Sequence, residues 1–395
     1  MGLHGLPQPG ADPERPVHIV FVGAGAVGCF YASRLHHASP PPRCHPATAP
    51  HPTDPSRQPS HNIHVSLVAR SNYTALATSG VHLRTHTFGD YTFHPHAVFP
   101  SVPAAAAARP ANPDPKSQSS DRGWDYVVVT TKALPDLADD ASLIAPLVGP
   151  RTCVVLIQNG VGVEDPYRRR FPTTPIVSAV TVVSAEQTAP GTVRQNRWTR
   201  IHLGGYAHAA ALDAGGGVPD GDGSRLAARG AACAGRLADW WGRLGGIRDV
   251  SLSDEMGLQV VRWHKLCINA AFNPSAVLSG GRGNADMVAD AELRAHLRGV
   301  MVEIWEAAPR ILGGRGFGDG MAPPDRILAS TERNPGARPS MLVDWEAGRP
   351  MELEVILGNP VRIARAKGVE LPRVQTLYAL LRSAQAMRAR RKGKL

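Results

Sequence analysis

Along the first half of the chain, short unbroken apolar runs alternate with stretches whose apolar residues recur every three or four positions. HIVFVG (18–23) is such a run, and VGCFYASRLHH (27–37) after it has helical spacing. IHVSLVAR (63–70) reads as a second buried strand, and VHLRTHTFGDYTFHPHAVF (81–99) as a hairpin. DYVVVTTK (125–132) is a further strand, LPDLADDASLIAPLV (134–148) a helix and TCVVLIQNG (152–160) another strand. PIVSAVTVVSAEQ (175–187) and TRIHLGGY (199–206) extend the sheet. Strands that are apolar on both faces and alternate with helices predict a parallel, doubly wound α/β sheet.

From about residue 231 the period changes to that of helices. CAGRLADWWGRLGGI (233–247), DEMGLQVVRWHKLCINAAFNPSAVL (254–278), ADAELRAHLRGVMVEIWEAAPRIL (289–312), PSMLVDWEAG (339–348), PMELEVILGNPVRIARAKG (350–368) and VQTLYALLRSAQAMRARR (374–391) all show it. Three stretches fit neither period: 38–61, rich in Pro, His and Ser; 103–123; and 207–229, rich in Gly, Ala and Asp. They are too poor in large apolar residues to pack and read as surface insertions. The predicted organisation is a nucleotide-binding α/β domain over 17–206 interrupted by the first two insertions, a flexible linker at 207–229, a mostly α-helical domain over 230–387 and a basic tail at 388–395.

Composition narrows the function classes. The formal charge of +10 comes without aromatic-basic interleaving, which argues for anionic small molecules over nucleic acid. No apolar run reaches the roughly 18 residues of a spanning helix, and the amino-terminal stretch lacks the pattern of a secretory signal, so no membrane role and a cytoplasmic location are expected. The five cysteines, Cys29, Cys44, Cys153, Cys233 and Cys267, are scattered and never paired as CxxC, which predicts reduced thiols. Many of the histidines lie in the low-complexity stretches, and no metal site is expected.

The glycines Gly23, Gly25 and Gly28 follow a strand and open a helix, the context that gives GxGxxG its meaning. Gly23 allows the tight turn, Gly25 the approach of backbone N–H groups to a pyrophosphate, and Gly28 close packing of helix on strand. With Ala24, Ala26 and Val27 they form the expected cofactor loop. The second strand ends in Arg70 where NAD-binding folds usually carry Asp or Glu. Arg suits a 2′-phosphate and points to NADP(H); the alternative is an exposed loop arginine. Lys132 and Asn159 stand at the carboxyl ends of later strands, where ligands bind, although Asn159-Gly160 is also a strong turn former.

In RWHKLCINAAFNP, Lys265, Asn269 and Asn273 fall at i, i+4 and i+8 on one helical face. Such a polar row in an apolar helix needs partners or a cleft; taken alone, Lys265 reads first as a surface lysine. Pro274 predicts a kink or an end at Asn273. Ketone reduction by a nicotinamide requires a donor that protonates the developing alkoxide, and the Lys265 ammonium meets that demand while stabilising negative charge. A carboxylate to orient it is available at Glu352 or Glu354, and residue chemistry does not choose between them.

The ordered set GAGAVGCFYASRL, VVVTTKA, LIQNGVG, PGTV, WHKLCINAAFNPSAVL, PSMLVDWEAGRPMELEVILG and ARAKGVELP resembles the ketopantoate reductases (2-dehydropantoate 2-reductases), with the look of a fungal-type member, over roughly residues 17–385 outside the insertions. The resemblance implies a Rossmann-like domain followed by a helical one. It also implies NADPH-dependent reduction of ketopantoate to pantoate, toward pantothenate and coenzyme A. By the same resemblance Lys265 is the catalytic lysine, Glu352 its acidic partner in preference to Glu354, and Asn159 the cofactor-side amide. Arg70 and Lys132 are then cations near the NADP phosphates, and Asn269, Asn273 and Ser340 bind substrate. Asn284 meets a further substrate-side Asn one place out of register. Met351 and Leu357 stand where many members carry Thr and Asn. The implied partner is a small 2-oxo acid, and the implied assembly a monomer or homodimer. Rival expectations are a family reductase of another 2-oxo acid or a lactone, a 3-hydroxyacid dehydrogenase-like enzyme, and a non-catalytic NADP-binding protein.

Overall fold

The structure, a computed structural model, describes residues 16–36, 63–108, 110, 123–208, 220–334, 336 and 338–392. Cys44 and the 38–61 insertion therefore lie outside the described residues.

The first part of the chain runs β1 (Val17–Val22), α1 (Ala26–His36), β2 (Ile63–Val68), α2 (Tyr73–Ser79), β3 (Val81–Thr85), β4 (Gly89–Phe93), β5 (Ala97–Phe99), α3 (Val102–Ala107) and β6 (Tyr126–Val129). It continues with α4 (Asp140–Ile144), β7 (Cys153–Ile157), α5 (Asp165–Arg170), β8 (Ile176–Ala189), β9 (Thr192–Tyr206), α6 (Asp220–Asp239) and β10 (Val250–Leu252). Among the described residues these strands form one mixed sheet in the order β4-β3-β9-β8-β7-β6-β1-β2-β5, with β10 beside β9. The hairpins β3–β4 and β8–β9 are antiparallel, and the other pairs are parallel.

The apolar runs are continuous because both faces of the central strands are covered. Ile19 and Phe21 of β1 face one core, which contains α1 and Leu237, Trp240 and Trp241 from α6 and the turn after it. Val20 and Val22 face the other, with Val102 of α3, Ile144 of α4 and Tyr167 of α5. The strand order reverses between β6 and β2 at β1, so the crevice at the carboxyl end of β1 is a topological switch point, where such sheets bind ligands.

The remainder is helical: α7 (Glu255–Leu278), α8 (Asn284–Ala289), α9 (Ala291–Ile311), α10 (Pro324–Glu332), α11 (Ser340–Glu346), α12 (Asn359–Ala366) and α13 (Pro372–Lys392). Their core joins Leu266 and Ala270 of α7, Val300 and Ile304 of α9 and Leu377 of α13. Ala133, Val161 and Val163, which follow β6 and β7, belong to the same core. The helical part thus rests on the carboxyl ends of the sheet strands.

Several expectations need correction. The 103–123 stretch is not wholly a loop, because α3 forms over Val102–Ala107 with the Ser101 Oγ accepting from Ala104 N at 3.3 Å; its alanines favour helix. The 207–229 linker is helix from Asp220 onward, and α6 lies on β9, so closely that a methyl on Gly205 would sit 2.8 Å from Ala231 N. Residues 220–252 therefore share the core and edge of the sheet, not those of the helical part. Pro274 does not end α7, which continues to Leu278. The helix expected at 134–148 contracts to Asp140–Ile144, between Pro135 and a short 3-10 turn that contains Pro146. The 289–312 pattern divides at Asp290, whose carboxylate caps α9 by accepting from Glu292 N and Leu293 N. The 388–395 tail is helical as far as Lys392, with the Arg388 guanidinium 4.5 Å from the Trp345 ring centroid.

Candidate active site

The glycine loop has the geometry its spacing predicts. Gly23 has φ +111°, outside the range L side chains favour, and its N–H donates to Val68 O at 3.3 Å. A methyl on Gly28 would overlap the Gly23 carbonyl oxygen and lie 2.5 Å from Thr130 Oγ1, so only glycine lets α1 approach the loop. Gly25 differs: a methyl there meets nothing within 4 Å, so its backbone is open to an approaching group. Ala24 is buried, while Ala26 and Val27 open α1, whose amino-terminal dipole favours an anion. These features fit a dinucleotide pyrophosphate.

Two residues that sequence reasoning missed hold this loop. Asn72 Nδ2 donates to Ala24 O at 3.1 Å and to Gln187 Oε1 at 2.9 Å, and Asn72 Oδ1 accepts from Gln187 Nε2 at 2.7 Å. From the other side Thr130 Oγ1 donates to Gly23 O at 2.5 Å. Arg70, two residues beyond β2, is exposed at the same end of the sheet. Burial pushes the nearby Asp140 carboxyl up, opposed by bonds from Thr131 and Gln158 and by the Arg70 charge.

The chemistry-bearing residues meet between the β7 end and α7. Lys265 Nζ donates to Asn159 Oδ1 at 2.8 Å, and Asn159 Nδ2 donates to Glu352 Oε2 at 3.3 Å. Glu352 Oε1 accepts from Ala133 N at 3.2 Å. One amide therefore links the lysine and the carboxylate. Burial, reinforced by the Arg262 charge and opposed by Glu352, pulls the Lys265 ammonium down to about 8. Burial pushes the Glu352 carboxyl up, against the Asn159 and Ala133 bonds and the Lys132 charge. Glu354, the other carboxylate considered, faces away from this chain and bonds Arg362 Nη2 at 2.6 Å and the Tyr378 hydroxyl at 2.5 Å.

Arg262, one turn before Lys265 on α7, also escaped the sequence reading. It is 3% exposed and donates to Gln158 O at 3.0 Å and Gly160 O at 2.8 Å, on either side of Asn159. It also pairs with buried Glu164 at 3.0 Å. The loop it grips turns at Gly160, with φ +88°, where a methyl would sit 2.5 Å from Val355 Cβ.

Other predicted residues are placed differently. Lys132 turns toward the helical part and pairs with Asp344 of α11, a buried carboxylate that also takes Arg349 Nε at 3.0 Å. Asn273 is buried, and its Oδ1 accepts from Ser340 Oγ at 3.4 Å and Met341 N at 3.2 Å, fastening the start of α11 to α7. Ser340 is itself exposed, and Asn269 is half-buried on the Lys265 face. Asn284 opens α8 with a buried Oδ1 that has no hydrogen-bond partner, and no bond joins it to the Lys265 chain. Met351 and Leu357 are fully buried in the helical core. Among the described residues, no group of three or more His, Cys, Asp or Glu is arranged to hold a metal ion, and no helix is long and apolar enough to cross a membrane.

Residues 58–208 match the family model described as Ketopantoate reductase PanE/ApbA, and 258–385 match Ketopantoate reductase PanE/ApbA C terminal. The glycine loop precedes the first matched span. An uncharacterized protein of Saccharomyces cerevisiae is 29% identical over 84% of this chain and 89% of its own length. A 2-dehydropantoate 2-reductase of Mesorhizobium japonicum is 28% identical over 92% of this chain and 96% of its own. Among solved structures, 2-dehydropantoate 2-reductase from Methylococcus capsulatus superposes with a TM-score of 0.68 at 29% identity, covering 94% of this chain and 98% of that one. With a Rossmann-like sheet, a helical second part and both halves of the family's pattern in order, this chain belongs to the ketopantoate reductase family.

Proposed function

We propose that this chain is an NADP(H)-dependent reductase of 2-oxo acids whose substrate is 2-dehydropantoate, reduced to pantoate. The observation that carries the reading is the recessed chain Lys265–Asn159–Glu352 where the helical part meets the carboxyl ends of the sheet. The Gly23–Gly28 loop and the α1 amino end would hold the pyrophosphate, and Arg70 would face the 2′-phosphate. When bound, the nicotinamide supplies the hydride that reduces the ketone carbon.

The remaining work falls to the protein. Lys265 donates a proton to the oxygen as it gains charge; with its ammonium held near 8, it is protonated at neutral pH yet gives up the proton readily. Asn159 holds the lysine through its carbonyl, and Glu352 holds Asn159 through its amide hydrogen, which fixes the direction of that proton. Asn269 and Ser340 are assigned to the substrate's polar groups. Asn273 acts there through its hold on Ser340 and the start of α11. We place the division between the two domains between Leu252 and Glu255, where β10 ends and α7 begins.

A second reading, reduction of a different 2-oxo acid, is favoured by the apolar burial of Met351 and Leu357 where many members carry Thr and Asn. NADPH oxidation with 2-dehydropantoate against a panel of other 2-oxo acids separates the two. Preferred turnover of 2-dehydropantoate supports the first reading. Turnover of another acid alone replaces it with the second, and no turnover across the panel removes both.

A further inference from the structure

Arg262 lies one turn from Lys265, yet every polar contact it makes points toward the β7 loop and β8. Its Nη1 donates to the carbonyls of Gln158 at 3.0 Å and Gly160 at 2.8 Å, the residues before and after Asn159. Its Nη2 donates to Ser178 Oγ at 2.5 Å and Ala179 O at 3.4 Å on β8. Its Nε lies 3.0 Å from Glu164 Oε1, which also accepts from Ser178 Oγ at 2.6 Å and Gln259 Nε2 at 3.3 Å. The guanidinium is thus tied to the backbone on both sides of the amide that orients the lysine. A lone ammonium has one nitrogen where the guanidinium has three, so it cannot keep the loop carbonyls while also reaching Ser178 and Glu164.

We propose that Arg262 is a positioning residue for proton transfer, fixing Asn159 between Lys265 and Glu352 through the carbonyls of Gln158 and Gly160. The inference rests on the reductase reading above. A buried ion pair that served packing alone would not need two of its three carbonyl bonds on the residues flanking a site residue. Arg262 also adds positive charge beside the Lys265 ammonium and lowers its pKa. The charged groups that face Lys265 are Arg262 on its own helix and Glu352 from the segment after α11. Glu164 stands behind Arg262, and Lys132 and Asp344 act on Glu352.

The test uses Arg262→Lys, which keeps the charge but loses the fork, and the double variant Arg262→Met/Glu164→Leu, which removes the charge without leaving its partner buried and unpaired. Turnover is measured across pH with NADPH and the best 2-oxo acid of the panel. In parallel, the pH dependence of Lys265 acetylation by acetic anhydride is read by peptide mass spectrometry. Displacement of Asn159 is expected to lower kcat roughly 10- to 100-fold in both variants, with NADPH affinity little changed. The alkaline limb of the profile should stay in place in Arg262→Lys and move to higher pH in the double variant, and the acetylation midpoint should follow it. Wild-type kcat per folded molecule with unmoved limbs and midpoints would overturn the proposal and leave Arg262 a packing residue. If the wild type turns over no 2-oxo acid, the reductase reading fails; the acetylation midpoints then decide whether Arg262 acts on Lys265.

Discussion

Gly25→Ala and Gly28→Ala separate binding from folding at the glycine loop. At Gly28 the new methyl would lie 2.5 Å from Thr130 Oγ1 and would overlap the Gly23 carbonyl. Carbon contacts settle at about 3.5–4.0 Å, so α1 must back off by about 1 Å. Overpacking of this kind costs about 1–3 kcal/mol. With roughly 2–4 °C per kcal/mol for a domain this size, Tm should fall by several degrees. At Gly25 the methyl meets nothing within 4 Å, so the free protein should melt as the wild type does. Its effect should appear only with NADPH, where it stands between the loop and the pyrophosphate. Losing one charge-assisted hydrogen bond costs about 1.5–3 kcal/mol, a rise in Kd of about 10- to 100-fold. Thermal melts with and without NADPH, together with a fluorescence titration, measure both quantities. A Gly25→Ala protein that binds NADPH within twofold of wild type would refute the assignment of this loop to the pyrophosphate.

If Lys265 supplies the proton as proposed, kcat should fall as pH rises through about 8, the value to which burial pulls that ammonium. Glu352→Gln removes the charge that raises the Lys265 pKa, so this alkaline limb should move to lower pH in a pH–rate profile; an upward shift would contradict the assignment. Arg70→Ser should raise the KM for NADPH by about tenfold or more, the loss of a hydrogen bond to a charged group, while leaving the KM for NADH nearly unchanged. Equal effects on the two cofactors would remove Arg70 from the 2′-phosphate.

The glycine loop was legible because strand, glycines and helix are contiguous, so local sequence carries the whole geometry. Lys265 stood out as a charge in an apolar helix, Asn159 stood at a strand end, and Glu352 and Glu354 were both on offer as carboxylates; the family resemblance chose Glu352 between them. Arg262, Asn72 and Gln187 did not, because their roles depend on contacts across 102, 48 and 115 positions of chain. Of the kink or end that Pro274 predicts at Asn273, the end does not occur, for a related reason: packing of α7 against α9 and α11 overrides the local preference to stop. The Gly/Ala-rich segment from Asp220 likewise becomes helix once Cys233, Leu237 and Trp240 find the sheet.

The central claim, that Lys265 delivers the proton in an NADPH-dependent reduction, is tested most directly by Lys265→Ala assayed for both turnover and NADPH binding. Loss of a positioned general acid predicts a fall in kcat of about 10²- to 10⁴-fold, with the Kd for NADPH within a few-fold of wild type. Wild-type turnover in a folded Lys265→Ala protein would contradict the account.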